Sequence, residues 1–142
     1  MGSPPKIVVG SDAIIAQANP DDGHHEKATK ISLSLVAMGA LVIYPATAIV
    51  ESITFMQRVL SSSASAYATA VVFTGPGVQV AETNREILKA ALKYFSPVVS
   101  KQNTLFDCIV AATAEEYGAD AIFSFDKFYK SKGFKSAGEL VK

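Results

Sequence analysis

The chain has 142 residues, 49% of them hydrophobic, with 13 Lys plus Arg against 13 Asp plus Glu. That length and apolar content suit one domain of ordinary size with a real core, and they exclude wholesale disorder. A formal net charge of zero excludes a uniformly basic nucleic-acid binder but not local basic patches, and no apolar run reaches the roughly 18 residues needed to span a bilayer.

Residues 1–4 read as an expression scar or a disordered start. Residues 6–10 (Lys-Ile-Val-Val-Gly) are a β-branched run, predicted as a buried strand. Ser11 or Asp12 caps a helical stretch to Ala18. Asn19-Pro-Asp-Asp-Gly23 is a turn signal. A helix over 26–38 follows, with Ala28, Ile31, Leu35 and Met38 on one face and Gly39 closing it. Residues 41–44 predict a second strand, and Pro45 opens a helix over 46–60 that carries Glu51 in its second turn. A Ser-rich start leads to a helix over 64–73, ended by Thr74-Gly-Pro-Gly77. Residues 78–81 predict a third strand. Thr83-Asn84 cap a helix to about Tyr94, and Pro97 breaks it. Residues 106–117 predict a helix, 121–125 a strand and 127–131 a helical turn. The tail from Lys132 is weakly patterned, with a last short strand expected.

Strands alternating with helices, and strands that are continuous apolar runs, predict an α/β fold: a three-layer domain over 1–142 with a central parallel sheet of four or five strands. Cys108 is the one cysteine, so no internal disulfide can form. Its apolar helical surroundings predict a small buried hydrophobe rather than a nucleophile, and a reducing, cytoplasmic setting.

The acids carry the functional signal. In a parallel sheet ligands gather at the carboxyl ends of the strands. Asp12 follows the first strand, Glu51 the second by about two helical turns, and Asp126 the fourth directly; Asp107 starts the helix that feeds the fourth. Clustered carboxylates raise one another's pKa, and a divalent cation removes that cost. Oxygen-only donors suit Mg²⁺ or Mn²⁺, so the pattern predicts metal-assisted phosphodiester hydrolysis. The remaining acids fall in loops or on polar helix faces and read as solvated or capping groups.

Several motifs together resemble the PIN-domain ribonucleases, in the toxin-like, VapC-type branch. Val8-Val9-Gly10-Ser11-Asp12-Ala13-Ile14-Ile15 is similar to that family's opening strand, Asn19–Ala28 to its turn into the second helix, and Ala48-Ile49-Val50-Glu51 to its second acidic motif. Phe106-Asp107 through Phe123-Ser124-Phe125-Asp126-Lys127-Phe128 resembles the third and fourth. The likeness covers about residues 6–135. It implies an endoribonuclease of toxin–antitoxin type using Mg²⁺ or Mn²⁺. Glu51, Asp107 and Asp126 would be metal ligands, directly or through water, with Asp12 and Ser124 hydrogen-bonding the ligands or metal waters. A metal-activated water, not a side chain, would attack the phosphate. It also implies an RNA substrate, an antitoxin partner and a homodimer; the apolar stretch over 45–73 is the expected dimer surface.

The chain departs from the family at its first acid. Gly10 stands there and leaves a vacant ligand position, with Asp12 two residues on as a partial substitute. Deliberate inactivation and natural loss both account for this. Either predicts weak metal binding and impaired cleavage, and the alternative is a catalytically inactive PIN-fold RNA-binding or protein-interaction module. A receiver-like phosphoacceptor is disfavoured, because the strand-end Asp and Lys it needs are missing.

Simpler readings stand beside these. Asp107 and Asp126 can act as helix caps and Glu51 as a solvated helix residue. His24 and His25 belong to a helix start rather than a metal site, and Phe123, Phe125 and Phe128 to the core and its walls. Lys127, Lys130, Lys132 and Lys135 crowd beside Asp126, where they either form a solvated face or hold RNA phosphates without reading sequence. Arg58, Arg85, Lys89, Lys93 and Lys101 could extend that basic rim.

Overall fold

Four parallel strands in the order β3-β2-β1-β4 form the centre of the molecule. The computed structural model describes residues 2–97 and 103–141. In chain order the elements are β1 (Lys6–Val9), α1 (Ser11–Ala18), α2 (His25–Ala37), β2 (Leu41–Pro45), α3 (Ala46–Arg58), α4 (Ser63–Phe73), β3 (Gln79–Ala81), α5 (Arg85–Ala91), α6 (Leu105–Glu116), β4 (Ala121–Phe123), α7 (Lys127–Ser131) and α8 (Ala137–Leu140). Ile7 lies opposite Val42 on one side and Ala121 on the other, which fixes β1 between β2 and β4.

Ile7, Val8 and Val9 are fully buried, as is the whole of β4. A strand with no exposed face must be covered on both sides, which is why these runs lack polar alternation. Helix α6 packs against β1, β2 and β4, and α3 against β2 and α6. Leu35, Ile43, Met56, Val110 and Ile122 complete the core around β1. Each such side chain contributes about 1.5–3 kcal/mol on burial. Gly39 after α2 (φ 68°) and Gly118 after α6 (φ 62°) supply the left-handed backbone that those helix ends need.

The sequence expectations fail in three places, each for a local reason. The fourth strand stops at Phe123 rather than 125, because the next backbone donors turn to side chains: Phe125 N–H goes to Asp12 Oδ2 at 2.7 Å and Asp126 N–H to Ser124 Oγ at 3.0 Å. The α5 helix ends at Ala91, and the chain then tightens through Lys93 N–H to Ala90 and Tyr94 N–H to Ala91. The tail forms a helix, α8, not a strand. Ser136 and Glu139 make a reciprocal capping box at its start, and only one parallel bridge, Ile122 to Ser136, joins the tail to the sheet.

Candidate functional site

The strand order reverses between β1 and β4: the chain leaves β1 for β2 on one side and returns to β4 on the other. Such a switch point opens a crevice beyond the carboxyl ends of its two strands. Gly10 and Ser124 stand on either side of it.

Four acids reach this crevice from four elements. Asp12, in the first turn of α1, accepts the Phe125 N–H and a hydrogen bond from the Ser124 hydroxyl, so it ties α1 to the segment leaving β4. Glu51, on α3, hydrogen-bonds the Ser11 side chain. Beside it, fully buried Ser52 donates to Ala48 O (2.7 Å) and faces Ser11 O (3.3 Å), locking α3 against α1. Asp107, in the first turn of α6, accepts Thr104 N–H at 3.1 Å and the Tyr129 hydroxyl at 3.3 Å. Asp126 caps α7 by accepting Phe128 N–H at 2.9 Å. The capping readings of Asp107 and Asp126 are therefore both present in the fold, alongside their place at the crevice.

Between the last two acids lies Asn103. Its Nδ2 donates to Asp126 Oδ2 at 3.1 Å and to Asp107 Oδ2 at 3.4 Å. Nothing in the sequence pattern marks this residue.

The electrostatics tie the group together. Burial pushes the carboxyls of Asp12, Glu51 and Asp107 above the usual carboxylate range. Neighbouring charge adds to it: Asp126 acts on Asp12 and on Asp107, while Asp107 and Asp12 act on Glu51. Burial and then Asp107, Asp12 and Asp126 push the Tyr129 phenol up as well. Among the described residues, no three His, Cys, Asp or Glu side chains close round a common point as a ready-made cage. The donor set nevertheless fits an open Mg²⁺ or Mn²⁺ site. It offers oxygen only, it carries excess negative charge, and Mg²⁺ commonly takes one or two carboxylates and fills its remaining positions with water and phosphate oxygens.

Gly10 faces this cluster. Its backbone is extended (φ −84°, ψ 161°), so no glycine-only conformation explains it. A Cβ there would stand 3.1 Å from Asp12 Oδ1, 3.4 Å from Ser124 Cβ and 3.6 Å from Phe123 O. A side chain at position 10 would enter the crevice.

A family model described as PIN domain matches residues 7–135. The chain belongs to the PIN domain family. The matched span contains Gly10, Asp12, Glu51, Asp107, Ser124 and Asp126. Among solved structures, this PIN domain is similar to VapC20 of Mycobacterium tuberculosis, described as a sarcin-ricin loop cleaving toxin. The TM-score is 0.78 at 19% identity, over 90% of this chain and 95% of that one. Among curated proteins, none matches this sequence.

Beside the acids the PIN domain carries a pocket of about 190 Å³. Lys127, Lys130 and Lys135 line it together with Lys27 of α2, and Ser124, Asp126 and Tyr129 are walls it shares with the acid site. Lys130 also meets Glu139 at 3.1 Å. Lys132 lies instead over the Phe128 ring, 5.5 Å from its centroid. Of the wider rim, Lys93 is committed to Glu115 and Lys101 lies outside the described residues. Sequence reasoning missed Lys27, which only the tertiary fold brings to this pocket. It also missed the setting of His24, whose ring stacks on Phe125 at 4.3 Å and 5°. His25 turns away, with Nδ1 2.7 Å from Ala16 O. Cys108 is buried, and burial and Asp107 push its thiol up. No helix among the described residues is long and apolar enough to cross a membrane.

Proposed function

We propose that this PIN domain is an endoribonuclease of the toxin type that uses Mg²⁺ or Mn²⁺, and that it is impaired in this chain by Gly10. The observation that carries the reading is the convergence of Asp12, Glu51, Asp107 and Asp126 on one crevice, where burial first and neighbouring acids second raise the carboxyls of Asp12, Glu51 and Asp107. Glu51, Asp107 and Asp126 would hold the ion. Bound there, the ion would supply Lewis acidity towards a phosphate oxygen and acidify a water. Asp12 and Ser124 fix the segment after β4, and with it the direction of Asp126. Asn103 and Tyr129 keep Asp107 directed at the crevice. A covalent route through Cys108 is disfavoured, because the thiol is buried and its pKa raised.

RNA as the substrate, and a toxin role, are supported by the family and by the likeness to VapC20, itself described as a sarcin-ricin loop cleaving toxin. Val50, Val59, Tyr67, Val71 and Val72 on and beside α3 and α4 are exposed apolar side chains. They support a protein partner on that face, either a second copy in a homodimer or an antitoxin. A cytoplasmic setting accords with the single buried thiol.

One observation favours a second reading, a catalytically inactive RNA-binding or protein-interaction module: position 10 faces the acids and offers no donor. Gly10→Asp separates the two. Asp12 Oδ1, a side-chain atom, would need to give way by a few tenths of an ångström. We expect Mn²⁺-dependent cleavage of a panel of RNAs to rise by about a hundredfold or more over the parent, roughly 2.7 kcal/mol of barrier. A folded Gly10→Asp protein that leaves every RNA intact would overturn the nuclease reading and leave the module.

A further inference from the structure

The lysine pocket and the His24 ring adjoin one another. Phe125 is both a wall of the pocket and the surface on which His24 stacks, at 4.3 Å and nearly parallel. His24 remains an exposed residue although one face of its ring stacks on Phe125, and its backbone N–H is pinned to Asp22 Oδ1 at 2.8 Å. The lysines come from three separate stretches: α2 (Lys27), α7 (Lys127, Lys130) and the run before α8 (Lys135). The chain is neutral overall, yet among the described residues Lys27, Lys127 and Lys135 make no ion pair, and Lys130 alone has one, with Glu139. A volume of about 190 Å³ is several times the ~30 Å³ share of a water and admits a phosphate group.

We propose that Lys27, Lys127 and Lys135 with the His24–Phe125 stack form a subsite for one unpaired nucleotide next to the scissile phosphate. The lysines hold a backbone phosphate and His24 stacks its base. A cationic groove with an aromatic platform is the general chemistry of single-stranded recognition, tolerant of sequence because every base has a π-face. The base must be unpaired, since a base inside a duplex presents no free face to His24. The shared walls, Ser124 and Asp126, put this nucleotide directly beside the acids. The inference deepens the ribonuclease reading and rests on it for the class of ligand.

The test is binding of a labelled short single-stranded RNA to the chain as it stands, in EDTA, followed by anisotropy across a salt series. His24→Ala should weaken binding by about five- to a hundredfold, and His24→Phe should restore most of it. Lys27→Gln and Lys135→Gln should each lower the slope of log K against log salt by about 0.7. Lys30→Gln, whose ammonium faces Glu26 at 3.5 Å, should change neither. A duplex of the same sequence should be insensitive to His24→Ala. Folded His24 and Lys27 variants that bind like the parent would overturn the subsite while leaving RNA as the substrate. A parent that binds no RNA would overturn it too, and the nuclease reading would then stand or fall separately on cleavage by Gly10→Asp.

Discussion

Helix α6 carries acids at both ends, and Asp107 at its start and Glu115 near its close are treated in opposite ways. Asp107 lies in its first turn and has its carboxyl raised, by burial first and by Asp126 among its neighbours. Glu115 lies in its last turn and has its carboxyl lowered, by hydrogen bonds from Lys93 and Tyr94, both at 2.8 Å. The Tyr94 phenol is pushed up to about 12, by burial and then by Glu115. The helix dipole alone argues the reverse, since a helix favours negative charge at its start and disfavours it at its end. The dipole term is usually below 1 kcal/mol at a surface and is outweighed here. Desolvation and like charge decide Asp107, and a direct lysine contact decides Glu115. An acid that served stability would resemble Glu115. Carboxylates to which no described residue brings a cationic side chain, and which are gathered from four elements, are the strain expected of a site built to take a ligand.

The sharpest way to break this comparison is to neutralise one acid from each end. In the Gly10→Asp protein, Asp107→Asn should lower kcat/KM for RNA by about a hundredfold or more. Glu115→Gln should leave it within about twofold. Equal losses would mean that the two ends do not differ in function. A thermodynamic version follows. Mn²⁺ at about a hundred times its Kd should stabilise the fold by about 2.7 kcal/mol, raising Tm by several degrees in calorimetry. Glu51→Gln combined with Asp107→Asn should abolish that rise and increase the metal-free Tm. Glu115→Gln should keep the Mn²⁺ response. A response that survives the double change would move the cation away from this crevice.

Much of the edge was legible because it follows from chain-local rules. Continuous β-branched runs gave the parallel strands, the strand-exit rule pointed Asp12, Glu51 and Asp126 to one edge, and Asp107 came with the start of the helix that feeds the fourth strand. Gly10 was visible as a gap in a motif, though only its extended backbone shows that glycine is not required there. The parts that were missed depend on pairs distant in sequence. Asn103 spans acids on two different helices. Lys27 meets Lys127 and Lys135 only once α2 lies beside α7. His24 stacks on Phe125 across the same junction, and no periodicity carries such a contact. The α8 error is different, since Ser136 and Glu139 spell a capping box locally and a weak apolar pattern hid it.

The smallest expected effect is also the one that separates the two ends by pH. Asp12, Glu51 and Asp107 have folded carboxyls raised above their unfolded values. Their stabilising contribution is complete below the unfolded values, near pH 4, and is lost as pH rises through the folded ones. Metal-free protein should therefore gain stability on acidification from about pH 7 towards pH 4, seen as a rising urea midpoint. Glu115, lowered in the fold, contributes above its unfolded value of about 4.3 and loses that contribution as pH falls through its folded one. The two windows adjoin without coinciding. Glu51→Gln with Asp107→Asn should flatten the rise and leave the fall below pH 4. Glu115→Gln should keep the rise and soften the fall by a few tenths of a kcal/mol, as for any exposed pair. A midpoint that drops steadily from pH 7 to pH 4 in the parent would show that burial and like charge do not raise the crevice carboxyls, and the contrast between the two ends of α6 would go with it.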